Sequence, residues 1–332
     1  AGVLAYLVLI SFQLFQRPNL SFKGWKLKRG GSLQPAAFAL LAGMALLLVF
    51  WSHSALVRFY TYQGDAGYRS ARAWQPVLFD VVAPRPTLAT AEQARLERGA
   101  AALDAVRRLG WFESHGLEAK LAWLAALRGE DAALERHAQA ALERAELAFD
   151  MHQLLGRRAF EAGELAAAAE HFERAVATDG ESLWARINLG VAQAQGGQLE
   201  RAKTTFEAAT QELGENVTLA YNLGLVEAYA GRIDAATVRF SRAVELDPRN
   251  LPARENFAGM LAALGRFEES AEQYAVALEM SPDDAQTRVL LARVLAAMGR
   301  RSEALEQVGE ALRLAPGLPA AQRLAAELRG GA

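Results

Sequence analysis

The pattern of apolar positions divides the chain into an uncharged N-terminal region and a long amphipathic body. Residues 1–16 and 35–57 carry no Asp, Glu, Lys or Arg side chain. The second run, PAAFALLAGMALLLVFWSHSALV, exceeds the roughly 20 residues that a helix needs to cross a bilayer, so it predicts a transmembrane helix. The first run is shorter and predicts the end of a longer span in a truncated chain. A signal peptide for the first run and a buried core helix for the second are the competing interpretations.

The loop between these two runs, residues 17–34, contains basic side chains and no acidic one. Short basic loops are usually retained in the cytoplasm, so the loop predicts that the body lies outside the cytoplasm. Arg58, Arg69 and Arg72 follow the second run closely and weaken this bias. The N-terminal assignments are a membrane anchor over 1–57 and then, over 58–114, an aromatic juxtamembrane segment, a linker at 75–89 and a helix at 90–109.

The body repeats itself with a period of 34 residues. Each unit has room for two helices of about a dozen residues, the first ended by a glycine and the second by a proline where one is present. Small residues let the two helices approach closely, and hairpins must stack because one hairpin cannot cover its own apolar face. The recurring positions are Gly129, Gly163, Gly197, Gly231, Gly265 and Gly299; Ala141, Ala175, Ala209, Ala243, Ala277 and Ala311; and Pro248, Pro282 and Pro316.

Paired positions inside the units add a second regularity. The pairs are Leu155-Gly156, Leu189-Gly190 and Leu223-Gly224, followed by Ala168 and Phe172, Ala202 and Phe206, and Ala236 and Phe240. On these residues the chain resembles the tetratricopeptide-repeat (TPR) family. The resemblance implies an all-α fold, a TPR α-solenoid whose helical hairpins form a right-handed superhelix, here behind N-terminal transmembrane helices. The solenoid is predicted over 115–318, with a degenerate repeat at 115–148, five clear repeats over 149–318, and a capping helix and tail at 319–332.

The sequence offers few groups for catalysis. It has no cysteine, which excludes thiolate metal sites and cysteine nucleophiles within these residues. His152 and His171 fall on different helices of one repeat; we interpret them as ordinary surface histidines, and a metal-binding pair is the alternative. The recurring glycines stand in turns and form no phosphate-binding loop, and no basic cluster favours nucleic acid. We therefore expect a protein that is not an enzyme and that holds neither metal nor cofactor.

Asparagine occupies the sixth position of three successive repeats, at Asn188, Asn222 and Asn256. In the TPR family the first helix of each hairpin lines the concave face, and an amide there can bond both an N–H and a C=O of an extended peptide. The alternative is that asparagine is simply common at this position of the family. Some TPR proteins bind a partner's C-terminal carboxylate through a clamp of paired lysines and arginines beside such asparagines. Here Ile187, Tyr221 and Glu255 precede the asparagines, so that clamp is absent, which predicts a neutral or hydrophobic ligand segment. The other predicted groove residues are Trp184, Ile187, Val191, Tyr221, Leu225 and Tyr229.

These features predict a membrane-anchored TPR scaffold or assembly factor. Its partners would be a protein or extended peptide segment, the lipid bilayer and the other subunits of a membrane complex. A bacterial inner membrane, with the repeats in the periplasm, is the predicted location. The alternative is the C-terminal TPR tail of a larger polytopic membrane enzyme or electron-transfer protein, either membrane ferredoxin-like or glycan ligase-like.

Overall fold

A computed structural model describes residues 9, 12–14, 16–17, 19–22, 25–110 and 116–330. The first predicted span, residues 1–16, falls mostly outside these ranges. The chain forms two compact units that interleave along the sequence. Unit 1 comprises Ala1–Gln75 and Pro86–Glu146, and unit 2 comprises Pro76–Arg85 and Leu147–Ala332.

Unit 1 begins with a small antiparallel sheet within the predicted basic loop. Its strands are β1 (Leu20–Phe22), β2 (Trp25–Arg29) and β3 (Ser32–Leu33), in that spatial order. Gly30 and Gly31 both have positive φ, which suits the two-residue turn between β2 and β3. Leu27 of β2 is buried against Leu14 and Ala37. The loop is therefore folded against the apolar residues on either side of it.

The second predicted span forms the start of a longer helix, α1, which runs Pro35–Arg72 over 38 residues. Proline suits the first turn of a helix because it lacks only an N–H that would be unsatisfied there. Within the described part of the chain, α1 is the one helix that is both long enough and apolar enough to cross a membrane. Only 6% of its most apolar 18-residue stretch is buried. The aromatic residues after position 57 lie on this same helix rather than in a separate segment.

Helix α1 packs closely against a second helix of unit 1. A Cβ added to Gly67 would lie 2.8 Å from the Cα of Gly99, so the two backbones touch at this point. The partner is α3, Thr90–Leu109, over the residues where the sequence predicts a helix. Two further helices, α4 (Leu117–Arg128) and α5 (Asp131–Glu143), complete unit 1, and α4 contacts both α1 and α3.

The hairpin of α4 and α5 is the degenerate repeat that the sequence places in the solenoid. The structure groups it with unit 1 instead. Ten of the twelve residues of α4 are buried, Trp123 among them, because other helices of unit 1 cover it.

Unit 2 contains the five clear repeats as successive helical hairpins. The short helix α2, Gln75–Leu78, lies at the start of the segment Pro76–Arg85 that belongs to this unit. The helices are α6 (Ala148–Glu161), α7 (Leu165–Thr178), α8 (Leu183–Gln195), α9 (Leu199–Leu213), α10 (Val217–Tyr229), α11 (Ile233–Leu246), α12 (Leu251–Ala263), α13 (Phe267–Met280), α14 (Ala285–Ala297), α15 (Arg301–Leu314) and α16 (Pro319–Gly330).

The Leu-Gly and Ala-x-x-x-Phe pairs have a direct explanation in the packing of each hairpin. A Cβ on Gly190 would lie 2.4 Å from the ring of Phe206, and one on Gly224 would lie 2.7 Å from the ring of Phe240. The phenylalanine of the second helix therefore fills the space that the glycine of the first helix leaves. Gly163 and Gly197 have positive φ in the turns between helices, a conformation that glycine adopts without a steric cost.

Candidate functional site

The three aligned asparagines have different surroundings. Asn188, on α8, is 1% exposed. Its Nδ2 donates to the carbonyl of Phe79 at 2.7 Å and to Oε1 of Gln153 at 3.2 Å. Its Oδ1 accepts from the backbone N–H of Val81 at 3.3 Å. Asn188 thus binds backbone through both halves of its amide, but the backbone belongs to the same chain.

The segment that Asn188 binds, Val77–Arg85, is called here the docked segment. It begins in the last residues of α2 and then turns, since the N–H of Ala83 donates to the carbonyl of Asp80 at 3.2 Å. The Oδ1 of Asp80 accepts from the N–H of Val82 at 3.1 Å, an Asx-type contact that fixes the turn. The docked segment is therefore a compact turn and not an extended strand.

Arg157, on α6, binds three carbonyls of the docked segment. Its Nη1 donates to Val77 at 2.6 Å and to Asp80 at 2.9 Å, and its Nη2 donates to Ala83 at 2.6 Å. Its Nε donates to Glu161, so its buried charge has a partner and three neutral acceptors. The guanidinium fork suits this task because its donors are fixed in one plane.

Apolar side chains of the docked segment complete the contact. Val81 is buried in the hydrophobic cluster that contains Ile187 and Val191 of α8. Phe79 is buried and meets the ring of Phe149 edge-on, with centroids 5.7 Å apart. At the far end, Arg85 forms an ion pair with Glu161 at 2.5 Å.

Asn222 and Asn256 lie outside this contact and are half-buried. Asn222 donates to the carbonyl of Thr218 at 2.9 Å and Asn256 to that of Pro252 at 2.8 Å, each one turn back in its own helix. Asn256 also reaches the hydroxyl of Tyr221 at 3.5 Å. Burial is the main cause that raises the pKa of the Tyr221 phenol, and Tyr229 and Glu255 add to it, which keeps the phenol a neutral hydrogen-bonding group.

The remaining predicted groove residues divide in the same way. Ile187 and Val191 are buried in the same hydrophobic cluster as Val81 of the docked segment. Trp184 is 40% exposed and Tyr229 is 70% exposed. We use the term open face for the exposed or half-buried predicted residues of the third and fourth hairpins, which are Tyr221, Asn222, Leu225, Tyr229 and Asn256.

Sequence reasoning missed both the docked segment and Arg157. The signal was present, because the linker at 75–89 contains the apolar run Val77-Leu78-Phe79, with Val81 and Val82 close behind. A solvated linker is normally poor in apolar residues, so such a run indicates a segment that packs against the protein. Nothing in the sequence singled out Arg157, since a lone arginine in a repeat is expected to be a solvent-exposed side chain.

The structure also corrects the interpretation of His152 as a surface histidine. His152 is buried, and its Nδ1 lies 3.2 Å from Nδ1 of His171. Burial, followed by His171 and Arg174, lowers the pKa of His152 to about 4. Across the described ranges, no group of three or more His, Asp or Glu side chains is arranged to hold a metal ion.

Family comparison agrees with the hairpin geometry. Two family models described as tetratricopeptide repeat match the chain, one at residues 159–223 and 261–328 and the other at 221–285. Together they span 159–328, or 170 of the 332 residues. The chain belongs to the tetratricopeptide-repeat family. It is an all-α TPR solenoid in its C-terminal part, as the sequence predicts.

Solved TPR structures resemble part of the chain. YrrB, described as a TPR protein with an unusual peptide-binding site, is 26% identical, with a TM-score of 0.47; the match covers 56% of this chain and 95% of that one. A MamA structure labelled AMB-1 is 26% identical, with a TM-score of 0.44; it covers 49% of this chain and 96% of that one. No curated protein sequence matches the chain.

Proposed function

We propose that this TPR protein is a membrane-anchored scaffold that captures a segment of a partner protein on its repeats. One observation carries the proposal: side chains of the solenoid already bind the backbone groups of a segment of this chain. Asn188 takes both an N–H and a C=O, and Arg157 takes three carbonyls. Side chains that bind backbone groups accept many sequences, which is the property that a capture surface needs.

The open face is where we place the partner. It presents two aromatic rings, one aliphatic side chain and two amides that are half-buried or exposed. Tyrosine and asparagine combine apolar contact with hydrogen bonding at a small cost in side-chain entropy, which favours them in protein interfaces. The absence of a paired basic clamp beside Asn222 and Asn256 favours a neutral or apolar segment over a charged one.

The anchor rests on the apolar part of α1. Its side chains are exposed, including Leu46, Val49 and Trp51, and a soluble helix would bury such residues. A bilayer supplies the apolar surroundings that this surface requires. With the basic loop retained in the cytoplasm, the repeats would lie outside it, in the periplasm of a bacterium.

Photo-crosslinking in native membranes tests the capture surface. A photoreactive residue at Tyr229 of α10 is compared with one at Val238, an exposed residue on the second helix of the same hairpin. We expect a discrete crosslinked partner from carbonate-washed membranes at Tyr229 and none at Val238. The double variant Asn222→Ala, Asn256→Ala should reduce the yield at Tyr229 severalfold. Equal crosslinking at both positions would refute the assignment, and loss of the protein from washed membranes would refute the anchor.

A further inference from the structure

We propose that the docked segment, Val77–Arg85, is a tethered ligand, which a turn-forming segment of the partner displaces from the N-terminal end of the concave face. This inference rests on the proposed function and adds the chemistry of the partner segment. It places recognition at Asn188 and Arg157, whereas the open face lies in the later repeats.

The docked segment is held as a ligand is held, through its main chain. The carbonyls of Val77, Phe79, Asp80 and Ala83 and the N–H of Val81 bond to the side chains of Asn188 and Arg157. Every one of these groups exists in any polypeptide that follows the same path. A partner segment with the same turn could therefore replace the docked segment without any change in the solenoid.

The turn itself restricts which partner segment fits. Asp80 fixes the turn by accepting from the N–H of Val82, and it separates two buried apolar residues, Phe79 and Val81. Val82 points outward and is 63% exposed. Five residues after Asp80, Arg85 meets Glu161. The partner segment should thus present an aromatic residue, then Asp or Asn, then a β-branched aliphatic residue, with a basic residue a few positions later.

The docked segment leaves one polar group of its site unused. Gln153 is 1% exposed, and its Oε1 accepts from Asn188, but its Nε2 has no hydrogen-bond partner among the residues that the structure describes. A buried donor without an acceptor is costly. A partner segment that offers one more carbonyl or side-chain oxygen at this point would satisfy it, and would bind better than the docked segment.

The docked segment competes with a partner segment for the same site. The docked segment and its site belong to one chain, so their binding is intramolecular, and the apparent affinity of any competitor falls in proportion to the fraction of sites that the docked segment leaves free. A partner that contacts only the N-terminal end would therefore bind weakly. A partner that also occupies the open face gains a second contact, and this allows it to displace the docked segment.

Peptide binding to the full-length chain in nanodiscs tests the proposal. The probe is a fluorescent peptide of residues 75–86, QPVLFDVVAPRP. The variant Phe79→Asp, Val81→Asp should release the docked segment because both substitutions place a charge in an apolar site. We expect it to bind the peptide at least tenfold more tightly than wild type does. The matched control, Val82→Asp, changes an exposed residue and should bind as wild type does.

A third substitution, Arg157→Ala in the released variant, should cost about tenfold in peptide affinity, because three carbonyl contacts are lost. A peptide with alanine at the position of Asp80 should also bind more weakly. If the released variant keeps its helical circular dichroism yet fails to bind the peptide, the docked segment is a fixed structural element and the proposal is wrong.

Hydrogen exchange on the wild-type chain gives a measurement that needs no released variant. Excess unlabelled peptide should speed amide exchange in the chain's own residues 77–85, while exchange in helix α14 stays unchanged. No acceleration at saturating peptide would overturn the proposal. Crosslinking at Tyr229 would still report partner capture in that case, so failure here is distinguishable from failure of the proposed function.

Discussion

Asn188→Ala should destabilise the protein far more than the same change at Asn222 or Asn256. The three residues share one repeat position and one chemistry, so each variant removes the same atoms. Only Asn188 is buried, and only Asn188 bonds to backbone groups of the docked segment. A variant with alanine at all three positions would therefore confuse a structural loss with a loss of binding, and the three single variants separate them.

The size of the effect follows from the groups left behind. Removing the Asn188 amide leaves the N–H of Val81 and Oε1 of Gln153 without this partner, and it takes one donor from the carbonyl of Phe79. A buried unpaired group costs about 1–3 kcal/mol, and the bond to Val81 is long, so we expect a total of about 2–4 kcal/mol. Asn222 donates only to a carbonyl of its own helix, and its loss should cost less than ~0.5 kcal/mol.

Urea denaturation of the full chain in detergent, followed by circular dichroism, measures the difference. Local release of the docked segment could replace global unfolding, so amide exchange over residues 77–85 is measured in parallel. We expect Asn188→Ala to lower the unfolding free energy, to speed exchange over 77–85, or to do both. Equal behaviour of the Asn188 and Asn222 variants in both measurements would show that the amide does not hold the docked segment.

Two further predictions concern packing and pH. Gly190→Ala should lower the free energy of unfolding by about 1–3 kcal/mol because its Cβ would clash with Phe206. Gly259→Ala should be neutral or stabilising, because its Cβ would lie 3.5 Å from the hydroxyl of Tyr274. Thermal unfolding of both variants measures the contrast, and equal melting temperatures would contradict it. The unfolded chain takes up a proton at His152 near pH 6.5 and the folded chain only near pH 4, so the unfolding free energy should fall by at most ~3 kcal/mol as pH drops between these values. His152→Gln should flatten this dependence in urea titrations, and an unchanged slope would refute the assignment.

The repeat fold could be predicted from the sequence because its determinants are local and periodic. A glycine and the phenylalanine that covers it, such as Gly190 and Phe206, lie in one hairpin, and the same pair recurs one repeat later. The grouping of the degenerate hairpin with unit 1 could not be predicted, for the opposite reason. Its sequence keeps enough of the repeat to form α4 and α5, but burial of α4 depends on α1 and α3, which no repeat pattern describes.

The candidate site could be predicted only in part. The chemistry of the asparagine, an amide that binds an N–H and a C=O together, is what Asn188 does. The ligand could not be foreseen, because Phe79 and Asn188 are 109 residues apart and no local pattern links them. The difference between Asn188 and Asn222 could not be predicted from the sequence either, since it depends on whether the docked segment covers the residue.

The interleaved order of the two units has a consequence for synthesis of the chain. Val81 leaves the ribosome 107 residues before Asn188, and chains grow at about 5–20 residues per second, so the docked segment waits roughly 5–20 s for its site. During that interval Phe79 and Val81 are apolar residues without cover, next to an apolar helix that is itself a candidate for membrane insertion. Docking of these residues therefore has to wait for helices that are made much later, and a fragment that starts at Leu147 would omit the segment that covers Asn188.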